Sequence, residues 1–217
     1  MALVLFDLDN TLIAGDSDHA WGQFIVEKGL VDAQDYGQAN DQFYADYEAG
    51  QLDIVAYQEF ALTPLKQFSA KELDALHREY MACKIAPMHL IKAGQLIGSH
   101  RRAGDKLVII TSTNSFITAP IAAMMGINTL IATEGEKKAG RFTGKVKGVP
   151  CYQKGKVTRL KQWLRETGSG LAGSYAYSDS HNDLPLLKMV ENPVAVDPDP
   201  SLRQQAEKSG WKIMSLR

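Results

Sequence analysis

At 217 residues the chain can bury a substantial core, as one domain or as one domain with an insertion. Apolar residues at 45% and charged residues at 23% are ordinary for a soluble globular protein, so the composition points to a packed core. The formal charge of −1 gives no reason to expect nucleic acid or an acidic membrane surface as a partner. Cys83 and Cys151 are too few and too far apart for a disulfide framework or a zinc site, and read as two reduced thiols.

The chain opens on a short apolar run, 2–6, which lacks the basic start and the length of a signal peptide. No apolar stretch approaches the roughly 18–20 residues of a membrane span, so the expectation is a cytoplasmic protein. The run 2–6 itself reads as a buried, parallel-type strand that ends in the polar loop Asp7-Leu8-Asp9-Asn10-Thr11. In open α/β sheets that edge is where ligands bind.

From 16 to 90 the pattern becomes helical. Trp21, Phe24 and Ile25, then Phe43, Tyr44 and Tyr47, then Tyr57 and Phe60, then Leu73, Leu76 and Tyr80 recur at helical spacing. Gly29, Gly37, Gly50 and Pro64 punctuate it, giving about four helices whose aromatic residues are mostly packing. The strand–helix alternation returns with a helix over 90–100 and a second buried strand over 106–110, followed by Thr111-Ser112-Thr113-Asn114 as a polar loop. A helix over 119–126, a short strand over 128–131, part of a β-hairpin over 140–146 and an amphipathic helix over 156–166 come next. A third strand over 174–177 leads into Ser178-Asp179-Ser180-His181-Asn182-Asp183, and a fourth strand over 193–196 and a helix over 201–209 close the chain. The expected fold is α/β, a Rossmann-like doubly wound parallel sheet with an all-helical cap inserted after the first strand. The expected division is a catalytic core of 1–15 and 91–217, with the cap at 16–90.

Asp7 and Asp9 directly follow one strand, and Asp179 and Asp183 follow another. If those strands are neighbours, four acids converge on one point, where like charges penalise one another unless a hard divalent cation intervenes. A carboxylate can then attack phosphorus, because the cation cancels the repulsion between two anions. Asp7 is the candidate nucleophile, and Asp9 the candidate acid for the leaving alkoxide and base for the water that follows. Thr111 and Ser112, with one lysine, would stabilise the transferring group.

Asp7-Leu8-Asp9-Asn10-Thr11-Leu12 after a hydrophobic strand resembles the first motif of the haloacid dehalogenase-like superfamily, D-x-D-x-T-L. Thr111 resembles the second motif, and Lys156 the third-motif lysine, preferred over Lys154 because it is read as opening the helix. Ser178-Asp179-Ser180-His181-Asn182-Asp183 is similar to the fourth motif, G-D-S-x-N-D, with Ser178 in place of glycine. The helical insertion and the hairpin before the lysine resemble the subfamily containing phosphoserine phosphatase. The resemblance implies Mg²⁺ held by Asp7, the Asp9 backbone carbonyl and Asp179, with Asp183 supporting them. It implies phosphate binding by Thr111, Ser112, Lys156 and Asn182, and a small-molecule phosphate ester as substrate.

The insertion carries thirteen Asp or Glu against five Lys or Arg, so it is strongly acidic and could steer a cationic substrate. Asp16 lies nine residues after Asp7, where phosphoserine phosphatases carry a glutamate on the substrate amine; it reads equally as an N-cap together with Ser17. The stretch 52–62, where an arginine for the serine carboxylate is expected, has none. That combination favours an amino alcohol phosphate such as histidinol phosphate, with Tyr44, Tyr57 and His19 as residues that could flank an imidazole. Phosphoserine phosphatase and phosphotransferase activities, and a silent phosphate-binding regulator, are the alternatives. Oligomeric state is not legible.

Overall fold

In the computed structural model, which describes residues 1–217, the first apolar run becomes β1 (Leu3–Phe6), buried on both faces. The chain then runs through α1 (Ser17–Glu27), α2 (Asp35–Glu48), α3 (Ile54–Leu62), a 3-10 turn at Pro64–Gln67, and α4 (Ala70–Tyr80). A π turn and a 3-10 turn lead to α5 (Ile91–Arg102), β2 (Lys106–Asn114), α6 (Ser115–Met124), β3 (Thr129–Lys138) and β4 (Arg141–Lys147). Next come α7 (Lys154–Thr167), β5 (Tyr175–Ser178), α8 (Leu184–Leu187), β6 (Asn192–Val196), α9 (Pro200–Ser209) and β7 (Lys212–Met214). No helix is long and apolar enough to cross a membrane.

The seven strands lie in the order β4-β3-β2-β1-β5-β6-β7, parallel throughout except for the β3–β4 hairpin. This is the doubly wound α/β architecture expected from the sequence. Alternation along β1 sends Val4 and Phe6 to one core and Leu3 and Leu5 to the other. The first core continues through α5 and α6 into Trp21, Phe24, Leu62, Leu73 and Tyr80 of the helices between β1 and β2. The second is closed by Leu160 of α7, Leu187 of α8, and Leu202 and Ala206 of α9. Strand order reverses at β1, so β2 lies on one side of it and β5 on the other, and the C-terminal ends of all three meet in one crevice.

Several boundaries differ from expectation. Thr111-Ser112-Thr113-Asn114 is not a loop after β2 but its last four residues, because the β-branched threonines suit an extended backbone. A register shift after Ile110 lets the strand continue to pair Asn114 with Thr133. Asn114 also caps α6, its side chain accepting from Ile117 N, so the cap falls one residue beyond the Thr-Ser-Thr run. β3 has ten residues rather than a short stretch, since it first pairs with β2 and then turns back on β4 through Ala139 and Gly140, both with positive φ. α7 starts at Lys154, so Lys156 lies inside its first turn and does not open it. The edge strand β7, only three residues, has no strong periodic signal and was not anticipated.

Candidate functional site

Asp7 sits where β1 ends, its N–H donating to the Tyr177 carbonyl of β5 at 2.9 Å. That bond binds the first acidic motif to the neighbouring strand and brings the fourth motif beside it. The Thr11 hydroxyl donates to Asp179 Oδ1 at 2.9 Å and lies 3.4 Å from Asp7 Oδ2. Lys156 reaches in from α7 and donates to Asp7 Oδ1 at 2.6 Å and Asp183 Oδ2 at 2.7 Å. All three charged groups are nearly sealed from solvent. Lys154, two residues earlier, is exposed, so burial and contact distinguish the two lysines.

Asp9 is turned the other way. Its Oδ1 accepts from Ser17 N in the first turn of α1 at 2.6 Å, and its Oδ2 accepts from the Thr113 hydroxyl at 2.9 Å. The Thr111 hydroxyl lies 3.4 Å from the same oxygen. Ser112 alternates to the other side of the strand, and its carbonyl accepts from Gln58 and Thr133. Asn182 is buried and committed: Oδ1 accepts from Tyr152 and Gln153, both at 2.9 Å, and Nδ2 donates to the Tyr47 carbonyl at 3.3 Å. Asp16 caps α1, accepting from His19 N at 2.7 Å. His19 stacks on Tyr44 with ring centres 4.7 Å apart and bonds Asp41.

Asp7 and Asp183 therefore share one ammonium, while Asp9 and Asp179 stand close by without an ion pair. Burial pushes the Asp7 carboxyl up to about 7, Lys156 opposing the rise and Asp183 and Asp9 adding to it. Burial, reinforced by Asp16, raises Asp9 to about 6 against the hydrogen bonds from Ser17 and Thr113. Burial and then Asp7 hold Asp179 well above the carboxylate range. Burial opposes the charge on Lys156, but Asp183 and Asp7 outweigh it and hold the ammonium above its ordinary value. Burial also pushes the Cys151 thiol up to about 12, which leaves it an unreactive core group.

No three His, Cys, Asp or Glu side chains are gathered on one point as a metal cage. Asp7 and Asp183 converge on the Lys156 ammonium, and Asp7 and Asp179 on the Thr11 hydroxyl. The donor set is nonetheless all oxygen, acid-rich and short of positive charge, which is the chemistry that suits a hard divalent cation.

The sequence reading missed several participants. Thr113 was visible only as part of a Thr-Ser-Thr run, although strand alternation puts it on the face of Thr111. Ser178 stands where the resembled motif has glycine, and its hydroxyl donates to Asp183 Oδ2 at 2.8 Å. Asp18, Gln58, Tyr47 and Tyr152 carry no local signal, because each is brought to the site by packing between distant segments.

The sequence pattern of the haloacid dehalogenase-like hydrolase family matches residues 4–188. A protein of Neisseria meningitidis serogroup C named histidinol-phosphatase is 47% identical over 219 residues, covering 99% of each chain. Phosphoserine phosphatase SerB1 of Mycobacterium tuberculosis is 32% identical across 100% of this chain and 71% of its own. The crystal structure of a protein of unknown function from Bordetella pertussis Tohama I superposes with a TM-score of 0.94 at 41% identity, covering 100% of this chain and 99% of that one.

Proposed function

The chain belongs to the haloacid dehalogenase-like hydrolase family, and from that premise we propose that it is a phosphatase that hydrolyses a small phosphate monoester through a phosphoryl group carried on Asp7. The observation that carries this reading is the division of labour between two acids one residue apart. Asp7 is held by the Lys156 ammonium at 2.6 Å, while Asp9 faces Ser17 N and the Thr113 hydroxyl on the side of the helical insertion.

In the first step a carboxylate oxygen of Asp7 attacks phosphorus as the bond to the leaving oxygen breaks, and Asp9 gives that oxygen its proton. In the second step Asp9 takes a proton from water, the water oxygen bonds to phosphorus, and the Asp7–phosphorus bond breaks to release inorganic phosphate. A site that pushes Asp9 up to about 6 lets it hold or give a proton near neutral pH. Lys156 fixes the rotamer of Asp7 and offsets charge on the transferring group; Thr111, Ser112 and Asn182 are the remaining candidates to hold that group. Asp7, the Asp9 carbonyl and Asp179, supported by Asp183, would hold Mg²⁺. When bound, Mg²⁺ supplies the positive charge that lets one anion approach another. We assign residues 16–90 as the cap that closes over this chemistry, with 1–15 and 91–217 as the core.

For the substrate we infer an amino alcohol phosphate, with histidinol phosphate first. The 47% identical relative of that name, matched over its whole length, supports it. So does the absence of Lys and Arg from 52–62 beside the carboxylate of Asp16. The 32% identical relative named phosphoserine phosphatase favours the second reading. The test is phosphate release from a panel of small esters with and without Mg²⁺, using Asp7→Asn as control. Release from histidinol phosphate that disappears with EDTA and in Asp7→Asn is the expected result. Far higher efficiency on phosphoserine would overturn the substrate assignment, and undiminished turnover by Asp7→Asn would overturn the mechanism.

A further inference from the structure

One group of charged side chains has no part in the chemistry above. Asp18, one residue beyond the Ser17 amide that binds Asp9, is only 4% exposed. Its oxygens meet two neutral amides at long range, Gln58 Nε2 at 3.3 Å and Asn114 Nδ2 at 3.5 Å. None of the ion pairs in the molecule involves Asp18, Asp16 or Asp9, so three acids within ten residues face no cation of the protein. Burial, then Asp16 and Asp9, push the Asp18 carboxyl well above its ordinary value, so it carries its charge only when something supplies a counter-charge.

An independent observation concerns Gln58. Its side chain is fully enclosed, and its Nε2 is spent on Asp18 and on the Ser112 carbonyl. Its Oε1 has no hydrogen-bond partner. Native interiors rarely leave such acceptors orphaned. A carboxylate without a counter-charge beside an amide oxygen without a partner makes a cluster rich in acceptors and devoid of positive charge. Asp16 is different, because its side chain is already engaged in capping α1.

We propose that Asp18 and Gln58 form a specificity subsite that receives a positively charged, N–H-bearing group of the leaving alcohol, a protonated amine or imidazole. This rests on the phosphatase reading above and goes beyond it by naming the residues that select the leaving group. Asp18 directly follows the Ser17 amide that binds Asp9, and Gln58 of α3 meets it at 3.3 Å, so the subsite adjoins the acid that would protonate the leaving alcohol. A leaving group without N–H or O–H donors offers nothing to these acceptors, an uncharged donor supplies no counter-charge, and an anionic group meets three carboxylates.

The experiment compares kcat/KM on histidinol phosphate with kcat/KM on the uncharged ester p-nitrophenyl phosphate, for the native protein, Asp18→Asn and Gln58→Met. Asp18→Asn keeps size but removes the charge and exchanges one acceptor oxygen for a donor, and a charged hydrogen bond of this type corresponds to about tenfold or more. The ratio of the two efficiencies should fall by at least about tenfold in Asp18→Asn, chiefly through KM on the cationic ester, and less in Gln58→Met. A purely structural role would lower both efficiencies together and leave the ratio unchanged, which overturns the proposal. Calorimetric titration with histidinol in the presence of inorganic phosphate gives a readout free of turnover. Binding to the native protein that weakens in Asp18→Asn supports the subsite even if no ester is hydrolysed, a result that would instead sink the phosphatase reading. Equal binding to both, or none to the native protein, overturns the subsite.

Discussion

Ser178 shows how one atom alters a site without altering its ligands. Where the motif has glycine, this chain has a fully buried hydroxyl that donates to Asp183 Oδ2 at 2.8 Å and accepts from Ser180 N at 3.2 Å. Asp183 Oδ2 therefore has two donors, Ser178 and Lys156, and its orientation does not depend on the lysine alone. Removing the hydroxyl leaves a buried carboxylate oxygen with one donor and strands an amide. Ser178→Ala and Ser178→Gly should each lose about 1–3 kcal/mol in urea denaturation. The alanine variant should lose nearly as much as the glycine variant. A stable Ser178→Ala protein would show that the Cβ, not the hydroxyl, fills the position.

At the scale of elements, the site depends on how closely segments meet. Gly155 lies in the first turn of α7, directly before Lys156, and a Cβ there would stand 2.0 Å from the Pro150 carbonyl oxygen. That neighbour is backbone and has no rotamer to give way. Gly155→Ala should push α7 outward, withdraw Lys156 from Asp7, and cost roughly 1–3 kcal/mol. Thermal denaturation and phosphate release should fall together, whereas Gly170→Ala, in open space, serves as a control with little effect on either. The end of α2 meets the fourth motif with similar closeness. Gly50, at φ 70°, would place a Cβ 2.6 Å from His181 Nε2, and Asn182 donates to the Tyr47 carbonyl beside it. The helical insertion thus meets His181 and Asn182 of the fourth motif through backbone, which restricts what can occupy the space between.

Across the whole molecule, the acid cluster makes stability depend on pH and on cations. Asp7 and Asp9 bind protons more tightly when folded, near 7 and near 6 against an ordinary 3.8. The folded state therefore holds more protons than the unfolded one between about pH 4 and pH 7, and stability falls as pH rises through that window. The lowered acids Asp105, Asp197 and Asp199 act oppositely, their contribution being lost as pH falls below the ordinary carboxylate range. In EDTA the melting temperature should drop between about pH 5 and pH 7.5, and Mg²⁺ should raise it more at pH 7.5, where the cluster is ionised. An equal Mg²⁺ effect at both values would separate the cation from these carboxylates.

The sequence alone located the central parallel strands and the helical segment between β1 and β2, though not edge strand β7. It singled out Asp7, Asp9, Thr111, Asp179 and Asp183, whereas Lys156 rested on resemblance to the family's third motif. The acids and Thr111 follow from a signal read locally: an apolar run that must be buried, and polar residues at its C-terminal end. The doubly wound order then needs only a few topological rules. Tertiary structure decided what those residues do to one another. That Lys156, not Lys154, meets Asp7 depends on which face of α7 is turned inward. That β2 absorbs the Thr-Ser-Thr run depends on a partner strand, β3, lying beside it. Asp18 appears in the sequence as one of thirteen acids in an acidic insertion. It becomes an interior carboxyl without a counter-charge only because α1, α3 and the end of β2 close around it. Burial and counter-charge belong to segments far apart in the chain, and no local pattern carries them.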